Sequence, residues 1–227
     1  MPASCGRPNV QVSGRSPIDS VVATTKGDDG TTGLLYGGAR IGKDDPRAEA
    51  YGTIDEAVAA LGLARANLGV KRRTGTLGPS IGGLAPLILR IQRELFVVGA
   101  ELATNPEAWD RLRDGETRVS EAMVRDIERD LVELERNIEM PKEFVVPGET
   151  VTSAALELAR TILRRAERRA VALQRDDLVP GPYLIPYLNR LADFVWVLAR
   201  AAERAESRTA TPARRPAAAA TRRETAP

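Results

Sequence analysis

The sequence predicts an all-α protein built as a five-helix bundle. Two observations carry this. Between residues 46 and 206, apolar side chains recur at spacings of three and four in five separate stretches. No part of the 227-residue chain shows a convincing period-two alternation, and the links between the helical stretches are short.

Residues 1–20 are polar and rich in Pro, Gly and Ser, and they read as a disordered extension. Their Arg and Ser content, with no acid before Asp19, also fits a targeting segment. Val21, Val22 and Ala23 suit a short extended segment. A Gly/Thr loop follows, and the helical pattern begins after Lys43-Asp44-Asp45-Pro46. The first helix is expected over residues 46–68, with Pro46 in its first turn and Tyr51, Ile54, Val58 and Leu61 as its stripe. Residues 69–83 read as a Gly/Pro linker. The second helix covers residues 84–104 on Leu84, Leu87, Ile91, Leu95, Val98 and Leu102. The third starts at the N-cap Ser120 and is ended by Pro141. An apolar connector, Phe144-Val145-Val146-Pro147-Gly148, leads to a fourth helix over 150–175. A fifth runs over 182–207 with Leu188, Leu191, Val195, Leu198 and Ala202 on one side. Residues 207–227 are Ala, Pro, Thr and Arg with no apolar face and read as a disordered tail.

Composition removes whole classes of chemistry. The chain has no histidine, so the commonest general base and the commonest transition-metal ligand are missing. A single cysteine, Cys5, excludes an intramolecular disulfide framework and any Cys-rich zinc site. Charges nearly balance at net +2 and aromatics are 4%, too few for a nucleic-acid stacking platform. No apolar run reaches a membrane span, and the N-terminus lacks the apolar core of a secretory signal, so a cytoplasmic protein is expected.

Three constellations remain. Residues 24–33 carry three glycines, four threonines and Lys26, the donors of a polyphosphate loop, although a plain surface turn has the same composition. Arg160, Arg164 and Arg168 repeat every four residues and line one helix face. They fit an anion or the acids of another helix, or a solvated face offset by Glu157 and Glu167. Asn189, Asp193, Trp196 and Arg200 form a polar stripe beside the fifth helix's apolar one, as in a ligand site or a satisfied polar cluster. Asp55 borders an apolar stripe and needs a cation, for which Arg160 is a candidate. Phe144 fits core packing or a ligand contact.

Taken together, residues 22–206 resemble the PduO-type ATP:cob(I)alamin adenosyltransferases. The resemblance rests on four ordered motifs: the loop from Thr24 to Thr32; Lys43-Asp44-Asp45-Pro46-Arg47 with Glu49-Ala50-Tyr51-Gly52-Thr53-Ile54-Asp55-Glu56; Ala159-Arg160-Thr161 with Arg164-Arg165-Ala166-Glu167-Arg168; and Leu188-Asn189-Arg190-Leu191-Ala192-Asp193. It implies one domain over 21–206, with an ATP loop over 21–45 and a ferritin-like helical bundle over 46–206 that assembles as a homotrimer. Active sites would lie between neighbouring subunits. Thr24, Thr25, Lys26, Gly27, Thr31, Thr32 and Lys43 would wrap the ATP triphosphate, with Mg²⁺ bound through ATP. Arg164, Arg165, Glu167, Arg168 and Asn189 would complete the nucleotide site. Asp55 would pair with Arg160 across the subunit boundary, and Phe144 would close the lower face of cobalamin. Arg164, Asn189 and Phe144 would carry the catalysis. A flavin-type reductase and an adenosylcobalamin-dependent enzyme would be transient partners. A non-catalytic corrinoid or nucleotide carrier on the same scaffold is the alternative. The chain departs from the family pattern at Lys26, one place later than usual, at Ala57 and Val58, at Glu149, and at Glu157, where His is frequent.

Overall fold

The computed structural model describes residues 19–74 and 83–214. The expected extension up to residue 18, linker residues 75–82 and the tail from 215 lie outside the described residues. The fold is helix-dominated, with α1 (Pro46–Arg73), α2 (Leu84–Ala103), α3 (Glu121–Arg136), α4 (Val151–Arg175) and α5 (Leu184–Ala205). A 3₁₀ helix over Pro106–Arg111 follows α2 and has no signature in the apolar periodicity. Helix α1 packs on α2 and α4, α4 packs on α5, and α3 packs on α5.

Local chemistry explains the helix ends. Asp45 accepts the Arg47 N–H at 2.8 Å as the N-cap of α1, and Pro46 needs no donor partner there. Ser120 accepts the Met123 N–H, and Thr150 with Ser153 forms a reciprocal capping box at α4. Two boundaries differ from expectation. Helix α1 runs through Gly69 to Arg73, because Lys71, Arg72 and Arg73 suit its negative C-terminal end and the Thr74 N–H closes onto the Val70 carbonyl. Helix α3 stops at Arg136, before Pro141, because Asn137 donates its side-chain amide to the Glu133 carbonyl and turns the chain.

The apolar stripes meet in one core. Ile54, Leu61, Leu68, Ile91, Leu95, Leu156, Leu163, Leu188, Phe194 and Leu198 are all buried in it. Each such side chain contributes roughly 1.5–3 kcal/mol on leaving water. Helices α1 and α4 run antiparallel: Asn67 donates to Thr152 Oγ1 at one end, and Arg169 pairs with Glu49 at 2.5 Å at the other.

Four two-residue strands also form. β1 (Thr31–Thr32) pairs with β2 (Ile41–Gly42), and β3 (Val145–Val146) pairs with β4 (Thr211–Pro212), both antiparallel. Two residues are too short to show alternation in a sequence. The β3–β4 pair corrects the expected tail, because the chain beyond Ser207 is tied to the connector before α4. Val21 and Val22 lie in an exposed bend with no strand partner, and the Val22 and Ala23 N–H groups donate to Ser20 Oγ.

One buried acid ties three elements together. Glu101, near the end of α2, accepts the Val119 N–H at 2.7 Å and the Gly181 N–H at 3.0 Å, just before α3 and α5 begin. A Cβ at Gly181 would sit 2.5 Å from Glu101 Oε1, so a larger residue there would displace the carboxylate. Burial pushes the Glu101 carboxyl up to about 7 against the pull of those two donors. A raised folded-state value means that this stabilisation is complete below the unfolded carboxyl's value of 4.5 and is lost as pH climbs through about 7. We expect Glu101→Gln to remove up to roughly 3 kcal/mol of pH-dependent stability across that window. Melting temperatures of both forms at half-unit pH steps would check this; parallel profiles would count against it.

Candidate functional site

The Gly/Thr loop is folded by its own polar groups. Asp29 Oδ1 accepts from the Thr31 N–H at 2.9 Å and the Thr31 hydroxyl at 2.8 Å, and these bonds lower its pKa. Arg40 then crosses the loop. Its Nε donates to Thr31 Oγ1 at 2.6 Å, and its Nη2 donates to the Lys26 carbonyl at 2.8 Å and the Thr31 carbonyl at 3.0 Å. Nothing in the local spacing pointed to Arg40, because its partners lie 9 and 14 residues away. The Lys43 N–H bonds the Gly30 carbonyl at 2.9 Å, so β2 returns Lys43 beside the loop. A Cβ on Gly27 would stand 3.0 Å from Lys43 Nζ and 3.2 Å from the Thr31 carbonyl, so the ammonium packs closely over this glycine. Thr24, Thr25, Lys26 and Lys43 are exposed, while Gly27, Thr31 and Thr32 are half-buried. Among the described residues, the Lys26 and Lys43 ammonium groups have no acidic partner.

The second part of the site lies between α4, α5 and the connector. Phe144 is 90% exposed, which rules out core packing in the single chain. It lines a 660 Å³ hollow with Val145, Glu157, Arg160, Trp196 and Arg214. An adjoining 420 Å³ hollow shares Arg160 and Trp196 and adds Arg164, Arg190 and Asp193. The arginine stripe and the polar stripe of α5 therefore face each other. Arg164 and Arg168 are exposed, and among the described residues neither guanidinium has a partner. Glu167 is half-buried and Asn189 exposed, again with no side-chain bond among the described residues.

Two expected pairings look different in the single chain. Arg160 Nε donates to Glu157 at 2.6 Å, while Asp55 is exposed on α1. Arg165 is engaged by Glu56 of α1. Behind Arg160, Glu157 also meets the buried Arg200 at 3.2 Å, and Arg200 meets Glu203 at 2.9 Å. Arg200 thus belongs to an interior ion cluster. Glu157 and Arg200 are 43 residues apart, so the periodicity that put Arg200 on a stripe could not reveal its partner. The side chains of Arg164, Arg168 and Asn189 make no bond to the loop, so one chain does not join its two cationic regions.

An exposed aromatic on an arginine-lined hollow, with a separate Gly/Thr loop whose two ammonium groups have no acidic partner among the described residues, marks the candidate site of a helix-dominated protein. Comparison with known proteins names the group. The family model for cobalamin adenosyltransferase matches residues 22–202, and the chain belongs to that family. It is 38% identical over 185 residues to a corrinoid adenosyltransferase of Citrobacter freundii, covering 80% of this chain and 94% of that one. It is 38% identical over 178 residues to a corrinoid adenosyltransferase of Bacillus subtilis, covering 78% of this chain and 83% of that one. A solved variant of the PduO-type ATP:corrinoid adenosyltransferase from Lactobacillus reuteri, complexed with cobalamin and ATP, superposes with a TM-score of 0.71 at 28% identity. That match covers 85% of this chain and 98% of the solved one. Among the described residues no helix is long and apolar enough to cross a membrane.

Proposed function

We propose that the chain transfers the 5′-deoxyadenosyl group of ATP to the cobalt of cob(I)alamin, giving adenosylcobalamin and triphosphate. The observation that carries this is the family match across residues 22–202, which spans both the loop and the α4–α5 hollows. Cobalt(I) supplies the electron pair for the new Co–C5′ bond. The C5′–O5′ bond breaks and its electrons leave with the triphosphate. No protein base is required, which suits a chain without histidine. The protein's tasks are alignment and stabilisation of the leaving charge.

In this reading Thr24, Thr25, Lys26, Gly27, Thr31, Thr32 and Lys43 hold the triphosphate. Arg164, Arg165, Glu167, Arg168 and Asn189 complete the nucleotide site. Support comes from Lys26, Lys43, Arg164 and Arg168, which have no acidic partner among the described residues, since cations left without acids favour an anionic guest. The separation of loop and arginines within one chain favours a site assembled between copies. We therefore place the helices in a homotrimeric bundle, with Asp55 of one copy meeting Arg160 of the next. Arg160 is bound through Nε, which leaves its terminal nitrogens available for that acid. We assign Mg²⁺ to the triphosphate itself. Phe144 would press on the lower face of the corrinoid, excluding an axial ligand and easing reduction of Co(II) by a flavin-type reductase. We place the reaction in the cytoplasm, with an adenosylcobalamin-dependent enzyme receiving the product.

The direct test is an anaerobic assay with chemically reduced cobalamin and ATP. Growth of the Co–C absorbance with stoichiometric triphosphate is expected. Tight binding of both ligands with no new absorbance would point to a carrier instead.

A further inference from the structure

On the far side of the connector from Phe144 lies a third hollow, of 480 Å³. Residues 141–143 and Val145 line both it and the Phe144 hollow, so the two share a wall. Its volume is in the range of small-molecule clefts, roughly 300–1,000 Å³. Lys142, Arg204 and Arg208 line it, and among the described residues their side chains have no acidic partner. Arg200 borders it from the interior, is 4% exposed, and is held by Glu157 and Glu203. The acids on its walls are Glu139, Glu143 and Glu203, and Glu203 is already held by Arg200. Strand β4 closes the hollow, with Pro212 paired to Val145 and the Ala213 N–H donating to the Phe144 carbonyl at 2.7 Å.

We propose that this hollow binds the phosphodiester of the nucleotide tail of cobalamin, and so makes the enzyme selective for complete corrinoids over tail-less ones. The inference rests on the proposed function above. With Phe144 against the lower face, the base that normally coordinates cobalt there is displaced. It remains tethered to the ring by a chain carrying one phosphodiester anion. The ring would rest on one side of the 141–145 connector, and the tail would need a cationic recess within its tether's reach. The hollow across the connector supplies three cations that have no acidic partner among the described residues. Arginine forks suit the paired oxygens of a phosphodiester.

The experiment compares cobalamin with cobinamide, which has the same corrin ring and no nucleotide tail. In the full chain, the double variant Arg204→Ala/Arg208→Ala should raise KM for cobalamin about tenfold, while KM for cobinamide and for ATP stays within about twofold. Both side chains are exposed, and their removal leaves the core intact. The Arg204→Lys/Arg208→Lys double variant should keep most of the preference, since an ammonium still serves as a point charge. Raising salt should erode the wild-type preference for cobalamin. Equal effects on both corrinoids, or no effect on either, would overturn the assignment. A selective rise in KM for ATP would do the same, by giving the hollow to a nucleotide phosphate. A wild-type chain that adenosylates cobinamide but not cobalamin would refute the subsite while leaving the proposed function standing. A chain that adenosylates neither would remove both.

Discussion

Replacing Arg164 by alanine is expected to abolish the rise in melting temperature predicted for the wild-type chain with ATP and Mg²⁺, and to lower kcat/KM by about 10²–10³-fold. The prediction follows from what Arg164 does not do. Among the described residues its guanidinium has no ion pair or hydrogen bond, and it stands exposed beside the hollow shared with Asp193 and Trp196. Its removal therefore costs the unliganded fold little. Arg165, one residue on, differs in the unliganded chain, because Glu56 binds it and ties α4 to α1. Arg165→Ala should lower the melting temperature without ligand, whereas Arg164→Ala should not. Thermal scans with and without ATP and Mg²⁺ separate the two. If Arg164→Ala weakened assembly while ATP stabilised neither protein, the arginine stripe would be a subunit-contact device.

Phe144→Ala is expected to leave folding and ATP binding intact and to cut turnover from cob(II)alamin and reductant by about 10²-fold, roughly 2.7 kcal/mol of barrier. At 90% exposure the ring contributes little to the core, so the fold does not depend on it. Its backbone, however, is held, since the Phe144 carbonyl accepts the Ala213 N–H from the segment that carries β4. An exposed ring on an anchored backbone is arranged for contact with something outside the chain. With ATP present, cob(II)alamin bound to the wild type should show a four-coordinate spectrum, and the variant should show axial coordination instead. Equal spectra for the two would remove Phe144 from the mechanism.

The helices could be read from the sequence because their causes are local. Asp45 and Pro46, Ser120, and Thr150 with Ser153 sit where the capped helices begin, and each acts within three residues of itself. The boundaries that shifted were set by competition. Gly69 is tolerated inside α1 because its neighbours suit a helix end four residues later. The candidate site divides the same way. Loop composition and the four-residue arginine repeat are visible in one dimension. That Arg165 is taken up by Glu56 and that Arg40 knits the loop are not.

By itself the sequence determined that this chain is helical, that it carries a Gly/Thr-rich loop and an arginine stripe, and that its chemistry cannot use histidine. Those properties depend on residue identity and on spacings of a turn or less. Only the tertiary structure decided which cations are held by acids and which have no acidic partner among the described residues, and that Phe144 faces outward over a hollow walled by α4, α5 and the residues after β4. The reason is electrostatic and geometric. A charge is available to a ligand only when nothing nearby neutralises it, and for Arg200 and Arg165 the decisive partners include residues 43 and 109 positions away.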